Sequence, residues 1–85
     1  MITLAESQWI EDSYDLYGWA ADYAYPNTIG FDAHFQMYND MVEWIKTSVE
    51  RYENNALWTK IGDCIYIKLR KEKDAIMFAL KFGAA

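Results

Sequence analysis

The spacing of hydrophobic positions changes once along the chain, from three-and-four to two, and then becomes ambiguous. Between Thr3 and Tyr25 the helical period holds. At 100° per residue Ile10, Tyr14, Tyr17, Ala21 and Ala24 share one stripe, widened by Trp9, Leu16, Ala20 and Tyr23. Glu11, Asp15 and Asp22 line the opposite side. Thr3 and Glu6 form a capping box, in which each side chain satisfies the other residue's backbone N–H. Pro26 sets the end, because the residue before a proline is pushed out of helical geometry. A second helix is predicted from Ala33 to about Asn54, with Asp32 as its N-cap. Its apolar stripe is Phe35, Tyr38, Met41, Val42, Ile45, Val49 and Tyr52. Asn54-Asn55 can supply a left-handed residue at its end.

The period then becomes two. "ALWTKI" and "CIYIKLR" flank Gly62-Asp63, a pair suited to a two-residue hairpin turn. Residues 72–83 read either way. As a strand they align Ile76, Phe78, Leu80 and Phe82; as a helix they align Ala75, Phe78, Ala79 and Phe82. Helix formers predominate, which favours the helix. A hairpin is marginal alone, and a third strand would complete a sheet. The expected architecture is α+β over a single domain, residues 1–85: two amphipathic helices, a β-hairpin, and a short C-terminal helix or third strand.

Composition bounds the class. Of 85 residues, 53% are hydrophobic and 18% aromatic, which excludes a disordered chain. There is no apolar run of about 18 residues, so no membrane span is expected. The first basic residue is Lys46, which does not fit a secretory leader. One cysteine, Cys64, cannot form an internal disulfide, and a cytoplasmic location follows as the expectation. Charge is unevenly spread. Residues 1–55 carry ten acids against two bases, and residues 56–85 six bases against three acids. An acidic first half repels phosphates and suits a protein partner with a basic surface, which makes nucleic acid an unfavoured partner. A thin core and many aromatics also suit a homodimer, which would bury surplus apolar surface.

Catalytic and cofactor chemistry is not signalled. His34 is the single histidine, and a metal site needs three or four convergent ligands. Its simplest role is a capping or surface one. Cys64 lacks a neighbouring base and reads as a structural thiol. No glycine-rich phosphate loop is present. The expectation is a non-enzyme without cofactor. Its candidate partner-binding residues are Trp19, standing among Glu11, Asp12, Asp15 and Asp22 on the acidic side of the first helix. The alternative is a strand face of Tyr66, Lys68 and Arg70, continued by Lys71 and Lys73, that stacks and neutralises RNA or single-stranded DNA. The bland reading of those lysines is protection of an edge strand.

Roughly the second half of the chain carries a resemblance. "MVEWIKTSVERY", then "IYIKLRKEKDAIMFALKFG", is similar to the ending of many small proteins encoded by tailed bacteriophages. These close with Asp-Ala-x-x-Phe-x-Leu-x-Phe/Trp-Gly, here Asp74, Ala75, Phe78, Leu80, Phe82 and Gly83. The similarity runs from the second helix onward and marks a structural ending, so it transfers no functional residue. It implies an accessory protein that binds and inhibits a host protein, such as a defence or nucleic-acid-handling enzyme, in the bacterial cytoplasm. A virion structural or assembly role is the third class it leaves open.

Overall fold

The computed structural model describes residues 19–83. Within that span the order is β1 (Ala21–Pro26), α1 (Phe31–Ser48), a single turn α2 (Tyr52–Asn55), β2 (Ala56–Ile61), β3 (Cys64–Leu69) and α3 (Glu72–Phe82). The strands form one antiparallel sheet in the order β1-β3-β2. The class is α+β, as expected, but the third strand comes from the N-terminal side. The stretch expected to end the first helix is β1 instead, and the rest of that helix, residues 3–18, lies outside the described residues.

Two causes turn residues 21–26 into a strand. "ADYAYP" alternates, so Tyr23 and Tyr25 are half-buried while Asp22, Ala24 and Pro26 are exposed. Tyrosine fits a pleated, half-buried surface. Pairing does the rest: Ala21 opposes Leu69, Tyr23 opposes Ile67 and Tyr25 opposes Ile65. The hairpin needs this third strand for independent stability. Pro26 is tolerated because it stands at the end of an edge strand.

The β2–β3 hairpin turns at Gly62-Asp63 as the sequence suggests. Gly62 holds φ 58, a left-handed value that glycine adopts without strain. On β3, Ile65, Ile67 and Leu69 are fully buried against the helices. Opposite them Ala56 and Trp58 of β2 face the same side.

The helix boundaries differ from expectation. Gly30, not Asp32, is the N-cap of α1, and Asp32 sits in the first turn, where a carboxylate complements the helix dipole. Asn27 Oδ1 accepts from the N–H groups of Ile29 (3.1 Å) and Gly30 (2.9 Å), which shapes the entry. The helix stops at Ser48, and Arg51 rather than an asparagine takes the left-handed conformation before α2. The core stripe of α1 is His34, Met41 and Ile45, continued by Val49 just past the helix end.

Residues 72–82 form helix α3, closed by Gly83 at φ 68, whose N–H donates to the Ala79 carbonyl at 2.8 Å. Phe78 is the centre of the aromatic packing. Its ring meets Tyr23 at 5.8 Å, Tyr25 at 6.0 Å, Trp44 at 5.5 Å and Phe82 at 4.7 Å between centroids. Each such pair adds about 0.5–1.5 kcal/mol beyond area burial. Among the described residues no helix is long and apolar enough to cross a membrane.

Candidate functional site

Of the residues expected to form an acidic helix face, Trp19 and Asp22 fall among the described residues. Glu11, Asp12 and Asp15 lie outside the described residues. Trp19 precedes β1 and is half-buried, with the Arg70 guanidinium 4.3 Å from its ring centroid. Its Nε1–H is buried without a hydrogen-bond partner. Asp22 is exposed on β1 and opposes Lys68 in the β1–β3 register. Trp19 and Asp22 therefore do not share a helical i, i+3 relation.

The alternative strand face is partly committed to the fold. Lys68 is only 3% exposed, and it and half-buried Tyr66 are both engaged in interactions of the chain. The Tyr66 phenol is held above its ordinary range, first by its hydrogen bond with Cys64, then by repulsion from the Cys64 thiolate and by desolvation. Arg70 stacks on Trp19 and donates from Nε to the Asn54 carbonyl at 2.9 Å. Lys71 and Lys73 are exposed. A stacking platform needs aromatic faces and cations open to the strand it binds. Here the central lysine is buried and the arginine already covers a ring.

His34 is a core residue, contrary to the capping or surface role expected. It is fully buried, and its Nε2 lies 2.9 Å from the Tyr25 carbonyl. The carbonyl can only accept, so Nε2 carries the proton and donates. Cys64 is half-buried at the start of β3. Among the described residues no group of three or more His, Cys, Asp or Glu side chains is arranged to hold a metal.

The outward side of α1 combines features that the sequence pointed to on another helix. Phe31 is 68% exposed and Phe35 is 49% exposed, and their rings stack at 6.3 Å and 14°. Phe31 was not singled out from the sequence, and Phe35 was assigned to the core stripe. Both lie at the edge of the buried arc, because His34 takes the central position at that level. Asp32, Asp40 and Glu43 are exposed on the same helix. Gln36 donates to Asp40 Oδ1 at 3.0 Å, which orders that carboxylate. Lys60 from β2 places its ammonium 5.7 Å from the Phe31 centroid.

Two other surface features stand out. A groove of about 400 Å³ runs along residues 22–26 of β1, faced by Ile29, Met37 and Gly83. On the outward side of α3, Ile76, Met77 and Leu80 are each more than half exposed. Of the phage-like ending, Asp74, Ala75 and Phe78 are buried, Phe82 is half-buried and Gly83 caps the helix. Leu80 projects outward.

No protein-family model, no curated protein and no solved structure matches the chain.

Proposed function

We propose that this chain is a non-enzymatic accessory protein, of the kind tailed bacteriophages encode, that binds a host protein with a basic surface and blocks it. The observation that carries this reading is the Phe31–Phe35 stack standing in solvent on a helix that also exposes Asp32, Asp40 and Glu43. Rigid aromatic area concentrates binding energy at interfaces. Carboxylates exposed on the same helix steer a cationic partner and disfavour anionic ones. A net charge of −5 extends that preference over the whole molecule. Asp22, exposed on β1, adds to the same sign. The resemblance of roughly the second half of the chain to phage proteins supports the class of partner.

The test is affinity capture from a bacterial lysate, followed by purification of the captured protein and assay of its activity with and without the chain. A stoichiometric complex that lowers the partner's activity is the expected outcome. Capture that is lost equally in wild type and in a Phe31→Ser/Phe35→Ser variant when salt is raised would identify nonspecific charge association and reject the reading.

A further inference from the structure

The exposed edge of β1 carries a second inference, independent of the α1 surface. Asn27 N–H donates to the Asp63 carbonyl at 2.7 Å, just beyond the β1–β3 ladder. The register pairs Tyr25 with Ile65 and Tyr23 with Ile67. In an antiparallel ladder hydrogen-bonded pairs alternate. The amides of Tyr23 and Tyr25 therefore face β3, and the N–H and C=O groups of Asp22 and Ala24 point away from it. Among the described residues no strand lies on that side of β1. The groove of about 400 Å³ follows the same edge, on the side where Ile29, Met37 and Gly83 stand. Among the described residues an unpaired ladder edge and a mostly apolar groove thus coincide along residues 22–26.

We infer that this edge binds an extended peptide of a partner protein by strand addition. Asp22 and Ala24 supply four main-chain hydrogen bonds, while Pro26 has no N–H to offer and bounds the site. Alternate side chains of the incoming strand enter the groove against Ile29 and Met37, so they are apolar. The intervening side chains run along the opposite face, where Asp22 stands exposed. Charge complementarity places a lysine or arginine there.

A second copy of the chain fits less well. A two-fold axis through Tyr23 would make the same four bonds. The copy's groove-side residues would then be its own Tyr23 and Tyr25, which are already committed. The Tyr23 hydroxyl donates to the Ala75 carbonyl at 3.1 Å, and both rings pack on Phe78. The groove would stay empty.

The experiment measures amide hydrogen exchange by NMR on the intact chain, with a set of capped heptapeptides as probes. Each alternates Leu, Ile, Val or Phe with threonine and carries one central lysine on the threonine side. At least one probe should slow exchange of the Asp22 and Ala24 amides tenfold or more. N-methylation of the peptide along one edge should abolish this, and along the other edge leave it intact. Asp22→Lys should weaken the lysine peptide at least tenfold and strengthen its glutamate counterpart. Unchanged exchange at both amides with every probe at millimolar concentration overturns the proposal. So does protection centred on other strands, or protection without peptide that grows with protein concentration, which would assign the edge to self-pairing.

Discussion

The guanidinium of Arg70 lies 4.3 Å above the ring of Trp19, and this contact fastens the entry of β1 to the end of β3. Arg70 makes two further links to the turn before β2: its backbone N–H donates to Asn55 and its Nε to Asn54. One side chain thus joins three segments distant in sequence. Truncation to Arg70→Ala should cost about 1–2 kcal/mol, adding a surface cation–π contact and one hydrogen bond. Lysine keeps the charge but not the planar fork, so Arg70→Lys should recover less than half of that loss. Urea midpoints of the two variants check both statements.

Tyr23 and Tyr25 sit two residues apart on the same face of β1 and differ in one bond. The Tyr23 hydroxyl reaches the Ala75 carbonyl, whereas the Tyr25 hydroxyl is buried without a partner. Tyr23→Phe should therefore destabilise by about 0.5–1.5 kcal/mol, and Tyr25→Phe should be neutral or stabilising. Alkali separates them further. Burial, and then the charge of Tyr23, push the Tyr25 phenol up to about 12 from the ordinary 10.0. The folded state holds this proton more tightly than the unfolded chain. Its contribution is thus complete below pH 10 and is lost as pH rises through about 12. Denaturation curves between pH 9 and 11.5 should show a shallower alkaline decline in Tyr25→Phe than in wild type.

Arg51 is the one described non-glycine residue at positive φ, with φ 52 and ψ 51. An L-residue in that region costs about 1–2 kcal/mol. Glycine removes the strain and adds unfolded-state entropy in partial offset. Arg51→Gly should raise stability by about 0.5–1 kcal/mol, read as a higher thermal midpoint. Its Asn counterpart should fall between the two.

His34 tests the polar part of the core. It is fully buried and donates to the Tyr25 carbonyl at 2.9 Å, tying the first turns of α1 to the end of β1. His34→Ala should cost about 2–4 kcal/mol, from the lost hydrogen bond and the cavity together. His34→Gln, which keeps a donor, should cost less. Chemical denaturation of both variants gives the comparison.

The parts of the fold that depend on local spacing could be read from the chain. Gly62-Asp63 announced the hairpin, and Ala75, Phe78 and Phe82 share one side of α3 as their helical spacing requires. What escaped depends on distant partners. "ADYAYP" satisfies both a period of two and a loose helical stripe, and only pairing with β3 decides between them. His34 looked like a surface residue because nothing in its neighbourhood reveals the Tyr25 carbonyl nine positions earlier. The outward Phe31–Phe35 pair was hidden for the same reason. A helical stripe marks an apolar arc but not its centre, and a buried histidine displaced that centre from Phe35. The Trp19–Arg70 contact spans the chain between strands and leaves no mark in either segment's spacing.

The proposed interaction surface is tested most directly by the affinity of the purified partner for Asp40→Lys/Glu43→Lys and for Phe31→Ser/Phe35→Ser. Asp40 and Glu43 are exposed, so the charge variant's thermal midpoint should match wild type closely, whereas the aromatic variant should lose about 0.5–1.5 kcal/mol with the stacked pair and remain folded. Both double variants should bind at least tenfold more weakly, and the charge variant should also lose the salt dependence of its association rate. Wild-type affinity in both, with the fold intact, would contradict the account.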